Sequence, residues 1–286
     1  MVAVQTSQLG TLPSRRLGLL IAPREHGAWG LLLVPLAAGG AVGLLDGGTW
    51  LPLLLFTVAA VALFWLRTPA ESWLGRGLLR VQTNEERQAV GITILLVAAV
   101  AISTLSLLLW NGDHSKLLLL GMVAIATFVA QGILRKIGRR TRMLSQIVGI
   151  AGLTVTAPAA YYLVTGRLDR EAWALWIANF LFAGNQVHYV QLRIRSARLV
   201  SWSDKVERGR SFLIGQALLV TALFAAWRLQ YVPLLAACAF LPLLIRGAIW
   251  FFQRPQPLLI RRLGWTELAY AIVFAMCLIA GFHQLH

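Results

Sequence analysis

Apolar runs of about 20 residues recur from near residue 27 to the end of the chain, and that is the length an α-helix needs to cross a bilayer's hydrocarbon core. A lipid interior offers no water to backbone N–H and C=O groups. Only helices, which satisfy them within one segment, or closed barrels survive there, and continuous apolar runs exclude the alternating pattern of a barrel. The chain has 286 residues, of which 58% are hydrophobic and 13% charged, too little charge to cover a soluble domain of this size. The expected fold class is therefore all-α, a polytopic transmembrane helical bundle.

About nine spans are expected, near 27–46, 49–67, 89–110, 115–134, 143–164, 171–192, 211–227, 231–250 and 264–284. Two connections stand out as long, 68–88 and 193–210. The arrangement predicts a cytoplasmic N-terminal tail over 1–22 and a single transmembrane domain over 23–286. The short apolar stretch Leu17 to Ala22, cut off by Pro23, does not make a signal peptide.

Charge orients these spans. With the N-terminus inside, all but Lys116, Arg167, Arg170 and Arg228 of the 26 Lys and Arg residues fall on cytoplasmic segments, with Arg246 counted among the last cytoplasmic group. Such an asymmetry is the positive-inside signature and puts the C-terminus outside. The net charge of +15 then reflects basic loops and anionic lipid rather than nucleic acid. Trp50, Trp65, Trp110, Trp173, Trp227, Trp250 and Trp265 fall near span ends, where amphipathic rings prefer to sit. Cys238 and Cys277 lie in apolar runs without metal-ligand spacing and read as small core residues.

Local signals refine the picture. Gly149 and Gly152 permit close helix contact, and Pro158 should kink the fifth span and free the carbonyl of Thr154. Thr83 and Glu86 have the spacing of a capping box opening the third span. Pro69 should end regular helix soon after the second span, and residues 70–81 suit either a ligand-facing turn or a segment lying flat on the membrane.

Polar residues that resist burial in lipid mark three candidate sites and one further acid. Arg24, Glu25 and His26 follow Pro23, which suits a first helical turn, and a helix N-terminus favours anions. An interfacial anchor with Trp29 is the plainer alternative there. Arg67, Glu71 and Arg76 follow the second span. In the sixth span Asn179, Asn185, Gln186, Tyr189 and Arg193 fall within roughly 120° of helical arc. Lipid penalises such a stripe, so it should face a cavity or seal against another helix. His188, Gln191 and Arg195 lie on the other side. Glu267, early in the last span, should be paired to His188 or to an arginine of the basic loops. No phosphate-binding loop, dinucleotide fingerprint, zinc motif or nucleophile elbow occurs, and no metal ligands are assigned.

Ala22-Pro23-Arg24-Glu25-His26-Gly27-Ala28-Trp29-Gly30 resembles the opening of the YwiC-like family of bacterial membrane proteins. That resemblance implies a multi-pass protein of the bacterial inner membrane and leaves its activity open. The layout, with long cytoplasmic loops after spans two and six, also resembles the UbiA superfamily of intramembrane prenyltransferases. Those enzymes carry Asp-rich motifs at both places, whose carboxylates bind Mg²⁺ and through it a prenyl diphosphate. Here only Glu71 stands near the first motif, and Arg193 falls near the second motif's first Asp position. Arginine grips phosphate directly but holds no Mg²⁺.

The resulting expectation is a UbiA-like bundle in which Arg24, Arg67, Arg76, Arg193 and Arg195 form a cytoplasm-facing pocket for an anionic-headed lipid or isoprenoid. Two alternatives fit the same residues. One is a prenyltransferase using Glu71 and Glu25 for a single Mg²⁺; the other is a transporter of a small anion or metabolite. Against transport, neither an inverted repeat nor a pair of broken helices is visible in the sequence.

Overall fold

The computed structural model describes residues 13–23, 26–75, 77, 79–110, 114–138, 141–196, 201–253 and 259–284. Among them are thirteen α-helices and no strand. Eight segments are long and apolar enough to cross a membrane: Gly27–Leu45, Trp50–Trp73, Asn84–Trp110, Ser115–Ile137, Arg142–Thr165, Arg210–Arg228, Leu234–Phe252 and Arg261–His283. The sixth expected span is also a helix, α8 (Arg170–Arg195), of 26 residues. Its polar stripe keeps it out of that apolar set. The chain divides into two compact units.

The first unit is Met1–Glu25 with Leu54–Gly112. It holds α1 (Pro13–Ile21), most of α3 (Trp50–Trp73) and α4 (Asn84–Trp110). Three polar contacts dock α1. Trp65 Nε1 donates to the Ile21 carbonyl (3.0 Å), Ser72 Oγ to the Leu20 carbonyl (3.1 Å), and Arg16 pairs with Glu86 (2.6 Å). The capping box opens α4, with the Glu86 N–H donating to Thr83 Oγ1 at 3.1 Å. The return bond differs from the expected one: Glu86 Oε2 accepts from the Gln82 N–H at 2.8 Å.

Pro69 does not stop α3, which runs on to Trp73. The missing N–H costs one bond near the helix end, and the i,i+4 pair Arg67–Glu71 spans the site at 2.9 Å. The helix stops instead at Gly75, whose φ of +67° suits glycine, with the Gly77 N–H donating to the Glu71 carbonyl.

The second unit is His26–Leu53 with Asp113–His286. It contains α2 (His26–Leu45), α5 (Ser115–Ile137), α6 (Arg142–Thr154), α7 (Thr156–Thr165), α8, α9 (Trp202–Arg208), α10 (Arg210–Arg228), α11 (Leu234–Cys238), α12 (Leu241–Phe252) and α13 (Ile260–His283). α2 starts three residues after Pro23, so Pro23 lies ahead of its first turn.

The core of this unit gathers on α8. Ala38 and Val42 of α2, Tyr161 of α7, Leu175 and Phe182 of α8, and Phe274 and Leu278 of α13 are all buried together. Phe182 stacks on Phe274 with ring centroids 4.1 Å apart. Small residues set the closest approaches. A Cβ at Gly39 would strike the Ala157 backbone, and side chains at Gly149 or Gly152 would strike Gln131 or Thr127 of α5. In contrast, α4, α5 and α10 leave Leu95, Ile125 and Leu218 exposed, as lipid-facing helices do.

Two spans are each divided into two helices at residues that keep helical backbone angles. The fifth divides at Val155 between α6 and α7, three residues before Pro158. Thr156 Oγ1 donates there to the Leu32 carbonyl of α2 (3.1 Å). The eighth divides at Ala239 and Phe240, ahead of Pro242. The sequence predicted a kink at Pro158 in the fifth span and nothing at this place in the eighth.

Candidate functional site

α8 carries the polar residues, and both its ends are well defined. Asp169 caps its start, its side chain accepting from the N–H groups of Glu171 (3.1 Å) and Ala172 (3.2 Å). Arg193 and Arg195 occupy its last turn, where cations complement the helix dipole. Between them most polar positions meet a neighbouring helix, Asn179 and Asn185 being exceptions. Asn179 donates to its own Leu175 carbonyl (2.8 Å). Gln191 bonds to Gln146 of α6. His188 lies 3.4 Å from Ser211 Oγ of α10 and edge-on to Phe212.

The centre of the site is an ion pair that crosses from α12 to α13. Arg246 Nη1 donates to Glu267 Oε1, and both side chains are more than nine-tenths buried. The guanidinium carbon lies 4.0 Å from the ring centroid of Tyr189 on α8 and 4.6 Å from that of Tyr270 on α13. Gln186 Nε2 donates to the Glu267 backbone carbonyl at 2.7 Å, tying α8 to α13 beside the pair. Arg193 lies within electrostatic reach of both Tyr189 and Glu267. Burying an ion pair costs several kcal/mol per ion unless further bonds compensate. Here they do so only in part. Arg246 Nε and Nη2, Glu267 Oε2, Asn185 Oδ1 and both amide atoms of Gln216 are buried without a hydrogen-bond partner.

Of the residues singled out in the sequence, Gln186, Tyr189 and Arg193 come together here, with Asn185 a turn away on α8. Arg195 is exposed at the end of α8. Arg67 and Glu71 pair with each other in the first unit. Arg24, Glu25 and Arg76 lie outside the described residues, and His26 is described only as the first residue of α2. Glu267 takes an arginine rather than His188. That arginine is Arg246, which is not in a loop at all but inside α12. One signal for it was present: Arg246 is the one charged residue in the apolar run 231–250. Tyr270 and Gln216 carried no comparable signal.

A second polar group sits at the other end of α8. The Tyr161 hydroxyl contacts Glu171 Oε2 at 2.9 Å and Asp46 Oδ2 at 3.4 Å, and Arg167 reaches Asp46 at 3.3 Å. Nothing in the sequence singled these residues out. Among the described residues no three His, Cys, Asp or Glu side chains gather closely enough to hold a metal ion.

Eight apolar spans, a ninth helix with a polar stripe, and an ion pair buried between helices define a polytopic helical membrane protein. The model of the YwiC-like protein family matches the chain over residues 22–161. Asp46 and Tyr161 fall inside that stretch, whereas Arg246 and Glu267 fall outside it. No curated protein and no solved structure matches the chain.

Proposed function

We propose that this protein resides in the bacterial inner membrane, N-terminus inside, and binds an amphipathic lipid or isoprenoid whose anionic head reaches Arg246. The observation that carries the proposal is the pair of unpartnered donors, Nε and Nη2, on a buried and ring-clamped guanidinium. Buried donors are rarely left unmet, and an oxyanion is their natural partner. Arg193 adds a second positive charge nearby, and the exposed apolar faces of the spans give an acyl or prenyl tail its environment.

The test is binding of a lipid phosphate to the purified full chain in nanodiscs. Arg246→Lys, which keeps the charge but loses the fork, and Arg193→Ala should each weaken binding by about tenfold or more. Binding indifferent to both would overturn the proposal.

Transport of a small anion is the second reading, and the polar stripe of α8 beside the proline-containing fifth span is compatible with it. Flux of inorganic phosphate or a small carboxylate into proteoliposomes, lost with Arg246→Lys, would decide for transport. Prenyl transfer has less support. Glu71, its first-motif carboxylate, is engaged by Arg67.

A further inference from the structure

We infer that the head recognised by this site is a phosphate monoester, gripped by the Nε/Nη2 edge of Arg246 with its hydroxyl directed to Oε2 of Glu267; the inference rests on the anionic-head reading above. The argument is an inventory of donors and acceptors. Arg246 Nη1 is taken by Glu267 Oε1. The Nε and Nη2 hydrogens point the same way from the planar guanidinium, so together they match two oxygens of one oxyanion. Tyr189 and Tyr270 lie against the guanidinium carbon, their ring centroids at 4.0 and 4.6 Å, and its Nε/Nη2 edge is the part left without a hydrogen bond. Glu267 contributes the opposite requirement. Its Oε2 is buried and makes no hydrogen bond, the Gln186 amide beside the carboxylate donating to the Glu267 backbone carbonyl instead, and when ionised it is able only to accept. The ion pair therefore asks for two acceptors and one donor.

Few anionic heads supply both. A carboxylate or a phosphodiester offers two acceptor oxygens and no hydroxyl. A phosphate monoester in its monoanionic form offers two oxygens and one P–OH. Its single charge also suits a pair that is itself neutral, with Arg193 nearby to balance it.

The experiment compares dodecyl phosphate with its methyl ester, which keeps the tail and the single charge and loses only the P–OH. Binding to the full chain in nanodiscs is measured at about pH 5.5, where the monoester is mainly monoanionic. The monoester should bind about tenfold tighter. Equal binding of the two esters would overturn this inference while leaving an anionic-head site in place. Binding of neither would overturn both.

Glu267→Gln sharpens the test. Its amide oxygen would stay on Arg246 Nη1 and put an NH₂ where Oε2 stood, a donor in place of an acceptor. The preference for the monoester should then fall to within about twofold. A variant that keeps the full preference would overturn the role given to Glu267, and should it fail to fold, the ester comparison on the native chain still decides. Inorganic phosphate that competes as tightly as dodecyl phosphate would assign the site to free phosphate; much weaker competition would assign it to a lipid head.

Discussion

The two ends of α8 solve the same problem in different ways. At its start, Asp169 caps the helix, Glu171 and Asp46 share the Tyr161 hydroxyl, and Arg167 stands at the rim with its side chain 56% exposed. Each acid there has a partner, and water reaches the cation. Toward its end, Tyr189 and Gln186 meet an ion pair sealed from solvent, whose free edge and free oxygen face the protein interior. A polar group that serves only the fold is normally closed by its neighbours. The proposed ligand site is therefore placed at the Arg246 end, where both members of the buried ion pair keep unpaired atoms, and the Tyr161 end is read as a structural clasp.

The largest expected difference follows from burial. Arg246→Ala leaves the Glu267 carboxylate buried without its counter-ion and should cost about 3–5 kcal/mol of stability. Replacing both partners, Arg246→Met with Glu267→Leu, removes the uncompensated charge as well and should cost less than either single change. Unfolding of the detergent-solubilised chain by denaturant measures this. A double variant as unstable as the sum of the singles would mean that the pair is not one unit.

The clasp should yield less. Tyr161→Phe removes the hydroxyl between Glu171 and Asp46 and keeps the ring in the core, so about 1–3 kcal/mol is expected. Lipid binding should be unchanged, because α8 separates the two ends by roughly 22 Å between residues 171 and 186. A loss of binding comparable to that of Arg246→Lys would break the division of labour between the two ends.

Much of this architecture could be read from the chain. Apolar runs locate the spans because lipid leaves the backbone no alternative to helix. The arc of Asn185, Gln186, Tyr189 and Arg193 identifies α8 as the helix that must look inward, and Glu267 announces its need for a partner. What remained hidden is long-range. The choice of Arg246 over His188 depends on how α12 and α13 cross, and no local pattern encodes that. Arg246 was also disguised by its sign, since a cation near a span end is ordinarily read as an anchor. Asp46 and Glu171 were hidden in a similar way: Asp46 sits in the short connection after α2 and Glu171 in the first turn of α8, where a charged residue draws no notice until Tyr161 is seen between them. The continuation of α3 through Pro69 and the docking of α1 likewise depend on contacts remote in sequence.

The smallest effect tests whether exposure, rather than charge itself, separates the two ends. Arg167 pairs with Asp46 at 3.3 Å and with Asp169 at 3.8 Å, so by a count of contacts it is better partnered than Arg246. Water screens the Arg167 side of the pair, however, while the Asp46 side chain is 4% exposed, so the pair should contribute about 1 kcal/mol, the upper end for an exposed pair. Arg167→Ala should therefore shift the unfolding midpoint slightly, and the shift should shrink further as salt is raised. Asp46 keeps the Tyr161 hydroxyl in the variant, which limits the loss. A penalty approaching that of Arg246→Ala, insensitive to salt, would mean that the rim is as closed to water as the core, and the contrast between the two ends of α8 would then rest on their unpaired atoms alone.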